Sequence, residues 1–434
     1  MSDYQQTLDF LFAQIPMYQQ VGGSAYKPGL GNAQALDRYF GKPHEHYHTI
    51  HVAGTNGKGS VSHAIASVLQ CAGYKTALYT SPHFKDFRER IKINGKMIPE
   101  EEVTAFVVKH RNIIESLKPS FFEMSTAMAF DFFARRKVDI AVIEVGLGGR
   151  FDSTNVIRPL LSVITNIGLD HVEFLGDTLV SIAGEKAGVI KPEIPVVVGE
   201  WDAQTAPIFL RKAAEQKAPL LFADQHYRLL RAWEKEAMQY FEIQEEGNIC
   251  SREVAMDLLG NYQQKNILTI IAALDRLRNK LNFSDDAVKT GIATICKNTG
   301  LHGRWETIAW NPLVICDMAH NAHGMAPVME QLNRLKMQRP EAALHIVMGV
   351  VSDKDIQHIF PLMPRDARYY FTQAAIPRAM DAAVLAEHAG VFGLKGEIIS
   401  SVKQALKAAK NNASLDDIIF VGGSAFVVAE VIDF

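Results

Sequence analysis

The stretch from Thr49 to Ser60 constrains the fold of this chain more than any other. A short apolar run, Thr49-Ile50-His51-Val52-Ala53, leads into Gly54-Thr55-Asn56-Gly57-Lys58-Gly59-Ser60, and a helical pattern follows from Val61 to Gln70. Glycines let backbone N–H groups converge on one point, a helix N-terminus adds partial positive charge, and Lys58 adds a full charge. Gly54, Thr55, Asn56, Gly57, Lys58, Gly59 and Ser60 therefore read as a phosphate cradle at a strand-to-helix turn. Ser60, near the helix start, is placed to offer its hydroxyl to a Mg²⁺ that bridges phosphates. The common phosphate loop has its hydroxyl directly after the lysine, whereas here Gly59 intervenes. A glycine-rich turn without a ligand is the competing reading; the coincidence of strand, glycines, lysine, serine and helix favours the cradle.

Such a turn belongs in an α/β protein, and the neighbouring sequence provides one. From 49 to about 200, short apolar runs alternate with helical patterns. Ile50–Ala53, Lys75–Tyr79, Ile140–Glu144, Leu161–Asn166 and Val196–Gly199 are the strand candidates. Their near-continuous apolar character suits a parallel sheet covered on both faces. Residues 1–48 read as helix and loop, with a Gly/Pro-rich stretch at Lys27-Pro28-Gly29-Leu30-Gly31-Asn32. Tyr227–Ala232 and Met238–Gln244 suit antiparallel strands, and Gly260–Lys280 and Asp285–Lys297 suit helices. Thr299–Arg304 reads as a linker, after which Val314–Asp317, Ala343–Gly349, Arg368–Thr372 and Asp417–Val421 begin a second alternating pattern. The expected division is a larger domain over 1–298 and a smaller α/β domain over 299–434.

Composition narrows the partners. The 434 residues are enough for roughly two to three domains. A net charge of -3 gives no electrostatic footprint for nucleic acid, so phosphate affinity has to be local. No apolar run approaches the ~20 residues of a membrane span, and Met1–Gln14 lacks the basic start of a signal peptide. Cys71, Cys250, Cys296 and Cys316 are far apart and read as free thiols of a reducing cytoplasm. A cytoplasmic protein without membrane or nucleic-acid partners is expected.

Further segments carry chemistry. In Val142–Asp152, Glu144 ends an apolar strand at the edge where the phosphate loop opens; a carboxylate there can hold Mg²⁺, and the glycines after it permit close approach to a ligand. An acidic strand end followed by a plain turn is the alternative. Thr165–His171 follows another strand at the same edge, where His171 reads equally as a metal ligand or as structural, since imidazole rarely binds Mg²⁺. Gly184-Glu185-Lys186-Ala187-Gly188 reads, on residue chemistry alone, as a solvated helix turn. In the second domain, Cys316-Asp317-Met318-Ala319-His320-Asn321 follows a strand and suits either a metal or nucleotide contacts, and Arg304 at the linker is placed to reach a phosphate.

Together these segments resemble the folylpolyglutamate and dihydrofolate synthases of the Mur ligase superfamily. His51–Ser60 is similar to that family's phosphate loop, including the extra glycine before the hydroxyl. Glu144–Asp152 resembles its second signature. Ser81-Pro82-His83 with Arg88-Glu89-Arg90-Ile91, Phe122-Glu123, Asp170-His171, Glu185–Gly188, Gly303-Arg304 and Asp317–Asn321 fall in family order over essentially the whole chain. The resemblance implies a Mur-ligase-like α/β fold: a parallel-sheet N-terminal domain of the P-loop NTPase type and a smaller Rossmann-like C-terminal domain. It implies that Ser60 and Glu144 bind one Mg²⁺ and that His171 helps bind a second. It implies that Lys186 corresponds to a lysine carbamylated in many relatives. Asn266, Arg304 and Asp317 match ATP-contacting positions. His320 in the same loop as Asp317 is implied as catalytic beside Lys58 and Lys186. Ser81, Pro82, His83, Arg88, Phe122 and Asp152 match the pterin side. His302 and Ala322 depart from the family pattern by standing where many relatives have proline.

The implied reaction is phosphorylation of a substrate carboxylate by ATP, followed by attack of the glutamate amine on the acyl phosphate. The implied substrates are dihydropteroate, reduced folates and L-glutamate, handled by a monomer whose two domains close to exclude water. A folylpolyglutamate synthase with the single activity, another Mur-type amino-acid ligase, and an ATP-binding regulator that ligates nothing are the competing readings.

Overall fold

A computed structural model describes residues 3–14 and 29–432. Lys27 and Pro28, the first residues of the Gly/Pro-rich stretch, lie outside them. Two compact units emerge: 1–257 with 263–301, and 258–262 with 302–434. The second unit thus reclaims five residues from the middle of the first, a return that the reading of the linker at 299 does not include.

The first unit is built on an eight-stranded sheet in the order β4-β3-β2-β5-β1-β6-β7-β8. Its strands are β1 (His48–Ala53), β2 (Thr76–Tyr79), β3 (Ile91–Ile93), β4 (Lys96–Met97), β5 (Ile140–Glu144), β6 (Leu161–Ile164), β7 (Val196–Val198) and β8 (Leu220–Phe222). All five strands expected before residue 200 form. They pair in parallel, but β3 and β4 add an antiparallel edge, so the sheet is mixed. The two strands are short and carry Lys92 and Lys96, too polar to register as strands beside the apolar runs.

Side-chain alternation sends Ala77, Tyr79, Ala141 and Ile143 to one face, where they pack with Met124, Met128 and Phe133 of the helix Phe121–Arg135. The helix Lys58–Cys71 contacts β1, β2 and β5 and is itself packed by the helices Gln263–Leu277 and Asp285–Ala293. Every residue of it from Gly59 to Leu69 is buried, as befits a helix enclosed between sheet and helices. The single helix expected over Asp285–Lys297 is two, Asp285–Ala293 and Ile295–Thr299, because Thr294 leaves the helical region at φ -133. A separate antiparallel sheet joins β9 (Tyr227–Lys235), β10 (Met238–Glu245) and β11 (Ser251–Met256).

The second unit holds a six-stranded sheet in the order β12-β13-β17-β14-β15-β16, parallel except for the edge strand β12. Its strands are β12 (Glu306–Trp310), β13 (Leu313–Asp317), β14 (Leu344–Met348), β15 (Arg368–Gln373), β16 (Gly396–Ser401) and β17 (Ile418–Gly422). Leu259 and Tyr262 pack against its core, and Gln331 of the helix Ala322–Gln338 fastens the returning segment. Its Nε2 donates to Leu259 O at 2.9 Å and its Oε1 accepts from Asn261 N at 2.7 Å. No helix among the described residues is long and apolar enough to cross a membrane.

Two helical glycines separate packing from propensity. A Cβ on Gly291 would collide with the backbone of Val68, and Ser67 Oγ donates to Gly291 O at 2.6 Å across the same contact. A Cβ on Gly184 meets nothing. Gly291→Ala is expected to lower stability by about 1–3 kcal/mol, as overpacked cores do. Gly184→Ala is expected to be neutral or stabilising by up to about 1 kcal/mol. Chemical-denaturation midpoints of the two variants check both signs.

Candidate active site

β1 lies between β5 and β6, with Val52 opposite Glu144 and Ala53 opposite Ile164. The parallel pairing brings the loop after β1, the end of β5 and the loop after β6 to one sheet edge, where open α/β sheets bind ligands. The loop after β6 shapes the phosphate loop. Thr165 N donates to Ala53 O, Thr55 N to Asn166 O and Asn56 N to Asn166 Oδ1, each at 2.9 Å. Thr165 Oγ1 donates to Asn56 O at 2.5 Å, and Thr55 Oγ1 both donates to Gly168 O and accepts from Gly168 N.

Two of the loop's glycines are obligatory. Gly54 sits at φ +143, and a Cβ there would overlap the Thr165 hydroxyl. Gly57 sits at φ +81 against the Asn266 carboxamide. Gly57 is also the N-cap of the helix Lys58–Cys71, and no side chain caps that end. A helix start without a side-chain cap, preceded by a fixed glycine loop, suits an anion.

Both lysines predicted from the sequence come to the same carbonyl. Lys58 Nζ donates to Gly54 O at 3.0 Å and Thr55 O at 2.9 Å. Lys186, the last residue of the helix Leu179–Lys186, is 4% exposed and its Nζ donates to Gly54 O at 2.8 Å. Burial, reinforced by the charge of Lys58, pushes the Lys186 amine down to about 7. The reading of this segment as a solvated helix turn therefore fails for Lys186. Glycine contacts explain its burial: a Cβ on Gly149 would meet Glu185 O and Lys186 Cα, and one on Gly188 would meet the backbone of Arg150. Arg150 N donates to Glu185 O at 2.8 Å across the same junction.

Ser60 is fully buried, and its Oγ accepts from Gln263 Nε2 at 3.2 Å; Gln263 Oε1 in turn accepts from Asn266 Nδ2 at 2.8 Å. Gln263 was not anticipated, although its place three residues before Asn266 puts both on one helix face. Glu144 is 3% exposed and interacts electrostatically with the buried Arg90. His171 is partly buried in the left-handed conformation at φ 51, with Nε2 3.9 Å from Asp170 Oδ2. Among the described residues, no three His, Cys, Asp or Glu side chains cluster as a metal cage. A hydroxyl and a carboxylate at a phosphate loop are nonetheless the hard oxygen donors that suit Mg²⁺, which takes most of its remaining ligands from water and substrate phosphates.

The expected pterin-side residues divide. The Ser81–Pro82 peptide is cis. His83 Nδ1 accepts from Arg90 Nε at 2.8 Å, and burial, with Arg90 beside it, holds the imidazole well below its usual range. Arg88 is engaged by Asp86 at 2.6 Å and Glu100 at 3.3 Å, while Arg90, part of the matched 81–90 loop but not among the residues expected on the pterin side, is the cation that turns inward, over the Phe121 ring. The Phe122 ring occupies the space where a Gly146 side chain would stand. Asp152 is 4% exposed, and burial raises its carboxyl above the usual range against the pull of its hydrogen bonds. Oδ2 accepts from Gly146 N at 3.0 Å and Leu147 N at 2.9 Å; Oδ1 accepts from Thr154 N at 3.0 Å and from the Thr154 hydroxyl.

In the second unit, Asp317 ends β13 and is buried, and its carboxyl is raised by burial. Oδ2 accepts from Tyr262 Oη at 2.7 Å and Trp305 N at 2.8 Å; Oδ1 accepts from Ala319 N at 2.8 Å. Arg304 is partly buried and donates to Gly303 O at 3.3 Å, and the His320 ring lies 3.0 Å from Met318 O. Asn321 caps the helix Ala322–Gln338 by accepting from Gly324 N. Tyr262 carried no sequence signal, because it reaches Asp317 across 55 residues.

Comparison with known proteins agrees with this architecture. Residues 52–274 match the Mur ligase middle domain and residues 303–425 the glutamate ligase domain of Mur ligases. The dihydrofolate synthase/folylpolyglutamate synthase of Bacillus subtilis (strain 168) is 33% identical over 415 residues, covering 93% of this chain and 94% of the relative. The structure of E. coli FolC in complex with DHPP and ADP is 28% identical, with a TM-score of 0.84 and coverage of 99% of this chain and 97% of that one. A bifunctional folylpolyglutamate synthase/dihydrofolate synthase from Yersinia pestis, complexed with AMPPNP and Mn ion, is 28% identical with a TM-score of 0.81, covering 98% and 97%. With the phosphate loop, the Glu144–Asp152 loop and both sheets in place, the chain belongs to the folylpolyglutamate synthase/dihydrofolate synthase family of Mur ligases.

Proposed function

We propose that this chain is an ATP-dependent acid–amino-acid ligase, a cytoplasmic monomer that adds L-glutamate to dihydropteroate and to reduced folates. The observation that carries the reading is kinship over nearly the full length with a dihydrofolate synthase/folylpolyglutamate synthase, joined to an intact phosphate loop. In the first step, an acceptor carboxylate oxygen bonds to the γ-phosphorus of ATP as the bond to the β-phosphate oxygen breaks, giving ADP and an acyl phosphate. In the second, the neutral amine of glutamate attacks the acyl carbon, an amide forms, and phosphate leaves as the amine loses a proton.

Lys58, drawn from the loop carbonyls to the phosphates, offsets charge on the transferring group, and the first-turn N–H groups of its helix hold the neighbouring phosphate. Ser60 and Glu144 would hold one Mg²⁺ and His171 would help hold a second; when bound, these ions neutralise phosphate charge. Asn266, Arg304 and Asp317 keep the nucleotide roles that the resemblance implies, and His320 its catalytic one. Ser81, Pro82, His83, Arg88, Phe122 and Asp152 serve the acceptor side. Lys186 is a site of carbamylation: an amine near 7 is about half neutral at pH 7, where an ordinary lysine is almost wholly charged, and only the neutral amine adds CO₂. The product is an anion, which removes the repulsion between two ammonium groups at Gly54 O.

Mass spectrometry of products formed from ATP, glutamate and either dihydropteroate or tetrahydrofolate tests the activity. Glutamylated product is expected from both; product from tetrahydrofolate alone would reduce the protein to a single activity, and product from neither would refute the reading. Lys58→Ala is expected to lower turnover about a hundredfold or more with circular dichroism unchanged, the scale seen when one transition-state donor is removed.

The Lys186 assignment has its own readout. With ¹³C-labelled bicarbonate, a carbamate NMR signal is expected above about pH 7, fading as the pH falls below that value and the amine takes up a proton. The signal should be absent in Lys186→Arg.

A further inference from the structure

His51 lies three residues before Gly54 in β1, and its side chain is fully buried. Its Nε2 is 2.9 Å from Thr154 Oγ1. The single hydroxyl proton of Thr154 is directed to Asp152 Oδ1, so Thr154 Oγ1 must accept from His51 and the imidazole carries its proton on Nε2. His51 Nδ1 is then a bare acceptor, and it is buried with no hydrogen-bond partner among the described residues. Burial keeps the ring neutral, down to about 3. An imidazole with one nitrogen unsatisfied is a poor core residue, so its hydrogen bond to Thr154 is what distinguishes it from an apolar side chain there.

The chain of donors runs His51 Nε2–H to Thr154 Oγ1, Thr154 Oγ1–H to Asp152 Oδ1, and Gly146 and Leu147 N–H to Asp152 Oδ2. With Thr154 N, Asp152 accepts four hydrogen bonds, about the full capacity of a carboxylate. It thus fastens both ends of the Gly146–Phe151 loop, and His51 fastens Asp152 to the strand that carries the phosphate loop. Gly146 backs onto Phe122 in this arrangement.

We propose that His51 and Thr154 are positioning residues for the acceptor substrate, acting through Asp152 to hold the Gly146–Phe151 loop in register with the phosphate loop. The assignment to the acceptor rests on the ligase reading above; the mechanical part does not. Neither residue is assigned a part in bond making or breaking. Breaking the relay weakens acceptor binding while the phosphate loop, fixed separately by Thr165 and Asn166, keeps its grip on nucleotide.

Thr154→Val removes the hydroxyl at nearly constant volume, Thr154→Ser retains it, and His51→Phe removes the first donor. Hydrogen exchange followed by mass spectrometry reads the loop directly. In Thr154→Val, exchange in the peptide containing Gly146 and Leu147 is expected to accelerate about tenfold or more, with no change at Thr55 and Asn56. In steady-state assays, the same variant should raise the acceptor KM about tenfold while the ATP KM stays within about twofold. Thr154→Ser should restore both readouts. His51→Phe should resemble Thr154→Val, and the double variant should be no worse than the more severe single one, as for links of one chain. Unchanged loop exchange in a folded Thr154→Val, or Thr154→Ser as damaged as Thr154→Val, would overturn the relay. Equal rises in both KM values would overturn its acceptor role. Should Thr154→Val fail to fold, His51→Phe against the wild type decides on the same readouts. Loop exchange that responds as expected in a protein that ligates nothing would sink the ligase reading alone.

Discussion

The carbonyl oxygen of Gly54 is the point on which the site depends. A glycine at φ +143 turns that oxygen toward two lysines from different parts of the chain, Lys58 and Lys186. Any side chain at 54 would evict the Thr165 hydroxyl and with it the bond that shapes Asn56. The conformational freedom of one residue therefore sets the direction of a carbonyl, and the carbonyl sets where two cations meet. Their mutual repulsion, added to burial, is what lowers the affinity of Lys186 for its proton. Backbone geometry, electrostatics and chemistry are here three statements of one constraint.

The same economy appears in two further glycines, one after β5 and one after the helix Leu179–Lys186. Gly149 and Gly188 let two segments far apart in the chain approach backbone to backbone, and Arg150 N closes the junction on Glu185 O. Lys186 is carried inward by that approach. Seen alone, its segment has the composition of a solvated turn; seen with its glycines in contact, it is a buried floor of the site.

How much of this was legible in the sequence follows from the range of the interactions. The strand-to-helix turn from Gly54 to Gly57 and the apolar strands β1, β2, β5, β6 and β7 rest on contiguous residues, and they stand where the sequence puts them. The edge strands β3 and β4 escaped because only a neighbouring strand, not an apolar pattern, defines them. Thr294 splits a continuous helical pattern through its own backbone angle, which residue type does not announce. Residue identity marked Asp317 and Ser60, but their partners Tyr262 and Gln263 come from distant segments and carried no local signal. Arg88 and Arg90 show the limit most clearly. Two arginines of one short segment have nearly the same chemistry; the acids Asp86 and Glu100 take one outward, and His83 and Phe121 receive the other.

The five residues 258–262 give the chain an unusual genealogy. They stand within the span of the first unit in sequence but belong to the second in space, where Leu259 and Tyr262 pack on the core and Tyr262 bonds Asp317. No single cut of the polypeptide yields the second unit whole. A fragment beginning at residue 302 lacks the hydroxyl that holds Asp317 and the backbone groups that satisfy Gln331. The two units are thus separate as bodies and inseparable as genes: recombination that exchanged the C-terminal segment alone would import a sheet fitted to a strap left behind in the other parent.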